Sequence, residues 1–222
     1  MRFRSGSRDR RRVGLRLAEP LSTQFGLDRG RPVDRFYIER FLAENKELVR
    51  GRVLEVQERT YTDWFGGGVE RSDVLHAALG NPEATLVGDL TTGEGIPQDA
   101  FDCIILTQTL PFIWDVRAAV HGTRTALKPG GTLLATVPGI SQISREDMRD
   151  WGDWWRFTSA SAKRLFEDEY GAGNVEVEPH GNLVAACALL YGLAQHELRP
   201  EELERRQDDY EVIVTIKARR PD

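Results

Sequence analysis

The segment FDCIILTQ, residues 101–108, most constrains what this chain can fold into. It is an unbroken apolar run, too short for an ordinary helix and without the alternation of a half-exposed strand. Such a run reads as a strand buried on both faces, the mark of a parallel sheet whose crossover helices cover each side. The rest of the chain supplies matching elements. A helix is expected over residues 34–49, where Tyr37, Ile38, Phe41 and Leu42 make one apolar face, and GRVLEV follows as the first strand. ERSDVLHA, residues 70–77, reads as strand two, and ATLVGDL, residues 84–90, as strand three. After strand four, Asp115 is positioned as the N-cap of a helix through Leu127 that KPGG ends. TLLATVPG gives strand five, and a helix opened by Thr158 or Ser159 runs to Tyr170. NVEVEPH gives strand six, an apolar helix starts near Leu183, and the alternating YEVIVTIKAR closes the chain as strand seven. Strands alternating with helices predict an α/β fold with right-handed crossovers and a mostly parallel sheet. Ligands in such sheets bind beyond the carboxyl ends of the strands. The chemistry is therefore expected just after Val56, Leu75, Asp89, Thr107 and Pro138.

Composition narrows the class. With 222 residues, 40% hydrophobic and 29% charged, the chain suits one large domain (residues 30–222) behind a basic, flexible arm (residues 1–29). The net charge of −5 argues against a nucleic-acid partner, although six arginines and one aspartate in the first twelve residues leave about −10 on the remainder. That arm reads as a solvated tail or as a contact for RNA, phosphate or an anionic surface. The longest apolar run, residues 183–194, is shorter than the ~20 residues a spanning helix needs, so no membrane partner is expected. Its all-round apolarity predicts burial in the core or at a homodimer interface. Cys103 and Cys187 sit in apolar surroundings, as free thiols of a reducing compartment do, and no cysteine–histidine spacing suggests a metal. The cytoplasm is the expected location.

Phe101-Asp102 opening strand four and Leu127-Lys128-Pro129-Gly130-Gly131 before strand five resemble class I S-adenosylmethionine-dependent methyltransferases. WRFTSASAKRLFE resembles the segment after strand five in that family, and DRFYIERFL resembles a helix before strand one in a bacterial, type 11-like subgroup. The likeness spans roughly residues 30–219. It implies a Rossmann-like sheet of seven strands in the order 3-2-1-4-5-7-6, the last strand antiparallel, with helices on both faces. It also implies a cofactor site: Glu55 as the acid ending strand one, Asp89 with Leu90 after strand three, and Thr107, Gln108 and Thr109 after strand four. Two positions depart from the pattern. The glycine expected after strand one is Gln57, a side chain where the backbone needs room. The acid expected after strand two falls at Ala77 or Ala78, and Asp73 lies about four residues too early.

Candidate chemistry follows from position. His76, ending strand two, and His180, after strand six, are candidate general bases or hydrogen-bonded turn residues, while His121 reads as a surface group. Tyr37 and Tyr61 are candidates to meet the cofactor's amino-acid end or to pack. Trp151, Trp154, Trp155 and Arg156 are candidate substrate contacts or parts of a packed aromatic lid. The expected function is metal-independent methylation of an oxygen or nitrogen of a sugar-like or aromatic secondary metabolite, a small-molecule substrate. The alternatives are cofactor-independent cyclisation, elimination or isomerisation on the same scaffold, and a non-catalytic partner protein.

Overall fold

The computed structural model describes residues 18–222. The body is a seven-stranded sheet in the order β3-β2-β1-β4-β5-β7-β6. Its strands are β1 (Gly51–Val56), β2 (Val69–His76), β3 (Leu86–Val87), β4 (Phe101–Thr107), β5 (Leu127–Pro138), β6 (Val175–His180) and β7 (Ile213–Arg219). The first five run parallel where they pair, while β7 lies antiparallel to both β5 and β6. Most of the helices are α1 (Val33–Glu44), α2 (Thr60–Phe65), α3 (Val116–Ala126), α4 (Arg145–Asp150), α5 (Ser159–Tyr170), α6 (Leu183–Tyr191) and α7 (Pro200–Glu204), joined by short 3-10 turns.

The two-residue period of the strands divides the core. Leu54, Ile104, Leu106 and Leu133 face α3 and α5, packing with Val120, Leu165 and Phe166. Val53, Cys103, Ile105 and Leu134 face the opposite way, with Tyr37, Ile38, Phe41 and Leu42 of α1 and the alanines of α6. That split explains why residues 101–108 carry no polar alternation: both faces are covered. Cys103 is fully buried, and burial pushes its thiol up to about 12, so it is unreactive near neutrality.

The residues that carried the resemblance lie away from the carboxyl edge and hold the sheet together. Asp102 accepts hydrogen bonds from Lys128 Nζ at 2.7 Å and from the Arg52 backbone N–H at 2.8 Å. Gly51, at φ +65°, has no room for a Cβ, which would stand 2.5 Å from the Asp102 carboxylate. Lys128-Pro129-Gly130-Gly131 ends α3 as expected but belongs to β5, because Gly130 N–H and Gly131 C=O bond the backbone of Arg220.

Several expectations are corrected. Strand three is two residues long rather than seven: Gly88 packs against the Glu94 carbonyl, and the chain turns at Asp89, whose carboxylate accepts the Thr91 N–H at 2.7 Å. Short helices α2, α4 and α7 have no clear period in the sequence. The apolar segment from Leu183 is helical only to Tyr191, where Gly192 (φ +70°) stops it; it buries Ala185, Ala186, Ala188 and Leu189 and leaves Leu183 and Leu190 exposed. Residues 1–17 of the expected arm lie outside the described residues. Residues 18–32 form a strap on the body: Leu21 N–H bonds the Tyr191 carbonyl, Gln142 donates to the Thr23 carbonyl, Arg29 pairs with Glu197, and Pro32 bridges Ala194. Among the described residues no helix is long and apolar enough to cross a membrane, and no group of three metal-ligating side chains is assembled.

Candidate functional site

A cleft of about 360 Å³ opens at the carboxyl edge of the sheet, above the ends of β1, β2, β4 and β5. This is the place a doubly wound sheet makes available, because neighbouring loops part where the strand order reverses. Its floor is the turn after β1. Glu55 is buried, and both carboxylate oxygens are occupied: one accepts the Tyr61 N–H at 3.1 Å, the other the N–H and hydroxyl of Thr62 at 2.8 Å each. These donors are the first turn of α2, so Glu55 caps that helix and sets the path of the loop. Burial raises its pKa, against the pull of those hydrogen bonds.

Gln57 has φ +75°, the left-handed conformation a glycine would take at this point. Its N–H bonds the Leu75 carbonyl at 2.9 Å and its carbonyl accepts Asn81 Nδ2 at 2.6 Å, so the strained backbone is held from both sides. Gln108, at the end of the adjacent β4, is also left-handed at φ +52°, with its N–H on the Thr136 carbonyl. With Phe25 at φ +57°, three non-glycine residues in this conformation line one cleft and mark where the backbone is shaped for something other than stability.

Most of the sequence candidates converge here. Glu55, Gln57, Tyr61, His76, Asp89, Leu90, Thr107, Gln108, Thr109, Trp151 and Arg156 all line the cleft. Ala77 lines it too, where the resemblance implies an acid. Asp73 is not a substitute: its side chain is buried and paired with Arg52 at 2.7 Å and Arg71 at 2.9 Å. His76 Nδ1 lies 2.7 Å from the Ala78 carbonyl, and its ring meets Trp151 edge-on, with 5.8 Å between ring centroids. Arg156 is already engaged, forked onto Asp153 at 2.5 and 2.9 Å and onto the Gln142 carbonyl, so it pins the loop after β5 over the cleft.

Four candidates stand elsewhere. Tyr37 is buried under α6 and α7 and donates its hydroxyl to the Leu203 carbonyl at 2.9 Å. His180 stacks on Tyr37, ring centroids 6.0 Å apart, and its Nε2 meets the Thr215 hydroxyl at 2.9 Å; burial lowers its pKa. Neither lines the cleft. Trp155 stacks on Trp114 and gives its indole N–H to the Ile113 and Trp114 carbonyls, and Trp154 meets Trp114 edge-on, both outside the cleft proper. His121 is exposed and pairs with Glu169, as its surface reading expects.

Sequence reasoning passed over Phe25, Leu27, Asp34, Arg35 and Glu58, all of which line the cleft. Arg35 has Asp34 as its ion-pair partner at 3.3 Å, and that charge raises its pKa further. The available signal was a charged pair opening the helix before strand one. Phe25 and Leu27 gave no signal, because the strap that carries them has no repeating geometry.

No family model matches the chain, and no curated protein matches it. Solved structures do. An S-adenosylmethionine-dependent methyltransferase from Mesorhizobium loti aligns over 88% of this chain and 100% of its own, at 18% identity and a TM-score of 0.54. The N-methyltransferase NodS of Bradyrhizobium japonicum, solved with S-adenosyl-L-homocysteine, aligns over 96% and 98% at 14% identity and a TM-score of 0.53. A chain of the Haloferax volcanii complex between the Trm112 methyltransferase activator and a methyltransferase aligns over 85% and 93% at 18% identity and a TM-score of 0.52. Identities this low speak to architecture alone. With the strand order, the antiparallel β7 and the cleft at the carboxyl edge, they establish that the chain has the fold of the class I S-adenosylmethionine-dependent methyltransferases.

Proposed function

We propose that the chain binds S-adenosylmethionine in this cleft and methylates an oxygen or nitrogen of a small molecule. The observation that carries the reading is the turn after β1: Gln57 keeps the left-handed backbone of a glycine although its side chain makes that costly, so the loop holds its ligand-facing shape. The remaining donors fit the group. Asp89 and Leu90 offer a carboxylate and an apolar side chain beside β3, while Thr107 and Gln108 close the side at β4. When bound, the cofactor supplies an electrophilic methyl on a sulfonium. The chain's own part is positioning, which can contribute several kcal/mol to such a reaction.

His76 is the group best placed to take a proton. Its Nδ1 lies against the Ala78 carbonyl at 2.7 Å and the Ala78 N–H at 3.3 Å, so Nε2 is the ring nitrogen left to face a substrate proton. Trp151 packs against that ring and contributes an aromatic wall on the substrate side. Arg156 serves by holding Asp153 and the loop rather than by contacting an anion.

The absent acid at Ala77 predicts reduced affinity: one charge-assisted hydrogen bond is worth about 1.5–3 kcal/mol, ten- to a hundredfold. Calorimetry with S-adenosylhomocysteine tests the proposal. Micromolar binding by the unmodified protein, tightened about tenfold or more in Ala77→Asp, is the expected result. No binding by the unmodified protein, with binding restored in Gln57→Gly, would remove the methyltransferase reading. It would favour cofactor-independent chemistry, which the Gln57 side chain in the cleft already suits.

A further inference from the structure

The mouth of the cleft is rimmed by apolar side chains that face solvent. Leu27 on the strap, Trp114 after β4, and Ile143, Met148, Trp151 and Trp154 around α4 are each between 42% and 66% exposed. Single exposed apolar residues are ordinary, but a run of them bordering one cleft is a recognition surface. These are joined to one another and to the site. Leu27 and Trp151 line the cleft itself. Trp154 donates its indole N–H to the Trp151 carbonyl at 3.3 Å and meets the Trp114 ring edge-on, 5.2 Å between centroids. Ile143 directly precedes Ser144, a cleft residue that caps α4, and α4 carries Met148. The Gln142–Thr23 bond, 2.8 Å, ties this loop to the strap that carries Leu27.

Size indicates what the rim is for. About 360 Å³ lies near the lower end of the ~300–1,000 Å³ of small-molecule sites, room for one ligand. A two-substrate reaction in this cleft leaves the non-reacting part of the acceptor at the mouth. Leu27 and Ile143 offer that part no hydrogen bonds, Met148 only a weak acceptor, and Trp154 has spent its N–H on the Trp151 carbonyl. We propose that the acceptor carries an extended apolar portion, an alkyl chain or fused rings, which lies across this rim while its nucleophile enters the cleft. This rests on the methyltransferase reading and narrows it from sugar-like acceptors to amphipathic ones.

The test uses the full chain and n-alkyl β-D-glucosides from hexyl to decyl, each below its critical micelle concentration, followed by calorimetry and tryptophan emission. Affinity should rise about threefold to fourfold per added methylene, the increment for burying one CH₂. The Trp114→Ala/Trp154→Ala double variant should lose that dependence, while Leu183→Ser, an equally exposed leucine outside these segments, keeps it. Affinity independent of chain length, or the same loss in Leu183→Ser, would overturn the proposal. So would binding of phosphatidylserine vesicles that needs Trp114 and Trp154 when the glucosides do not bind, because the rim would then be a membrane contact. S-adenosylhomocysteine binding, measured in parallel, separates the two readings. Binding of the cofactor product without chain-length dependence sinks the rim alone. Chain-length dependence without cofactor binding sinks methyl transfer and leaves an apolar-ligand site.

Discussion

At Gln57 the missing glycine was visible in the sequence, but the backbone it left behind was not. A side chain at this position suggested a disturbed loop; the structure keeps φ at +75° and ties both the N–H and the carbonyl. A left-handed non-glycine residue costs about 1–2 kcal/mol, and glycine gives back about 0.5–1 kcal/mol through the entropy of the unfolded chain. Gln57→Gly should therefore stabilise the fold by about 0.5–1 kcal/mol, a rise in Tm of roughly 1–4 °C by scanning calorimetry. An unchanged or lowered Tm would mean that the loop is not strained. His180 shows the opposite failure of sequence reasoning: it is the last residue of β6 rather than a turn residue after it, and its ring points away from the cleft. It is stacked on Tyr37, and burial lowers its pKa. The unfolded chain takes up a proton near pH 6.5, so its contribution to stability is complete above that value. It is lost as pH falls from there through the lower folded pKa. His180→Gln should cost about 1 kcal/mol at pH 7, flatten the fall of Tm between pH 7 and 5, and leave S-adenosylhomocysteine binding unchanged. Loss of binding with stability intact would return His180 to the site.

Elements were legible where apolar period and end signals agreed. Helix α3 starts at Asp115, whose side chain accepts the Ala118 N–H, and α5 starts at Thr158, which accepts the Ser161 N–H, as their sequences imply. Helices of five or six residues were missed because so short a segment shows no helical period. What no element reveals alone is how near its neighbour comes. Gly122 lies inside α3, where alanine would ordinarily add about 0.5–1 kcal/mol. In the fold a Cβ there would stand 2.0 Å from the Leu90 carbonyl. Gly122→Ala should instead destabilise by about 1–3 kcal/mol in urea denaturation and weaken cofactor binding, since the displaced segment carries Asp89 and Leu90 into the cleft. A stabilised variant would show that this contact yields freely.

For the whole molecule, charge matters through pairing more than through its sum. Asp73 and Asp153 are buried and held by Arg52 and Arg71, and by Arg156, while Asp102 is held by Lys128. Burial opposes ionisation of all three, but those partners outweigh it and lower the pKa values. Their contribution is present above the ordinary carboxylate range and is lost as pH falls through the folded values. Glu55, whose pKa is raised, works in the other direction. Asp150, Asp168 and Glu197 are lowered by their arginine partners as well, so the lowered carboxylates outnumber Glu55. Stability measured by urea denaturation should drop between pH 5 and 3, less steeply in Asp73→Asn; a curve that is level or rises on acidification would contradict this assignment. Local sequence alone dictates a mostly parallel α/β sheet, the two-sided burial of β4 and the edge at which the cleft opens. Those follow from local period, from end signals and from the single hand of crossovers, all properties of short segments. Assembly of the sheet is what turns Tyr37 and His180 into the core, engages Arg156 with Asp153, and brings Phe25, Leu27 and Arg35 to the cleft. A side chain's direction and partners depend on residues distant in sequence, and for a single chain those distances become short only when the sheet assembles.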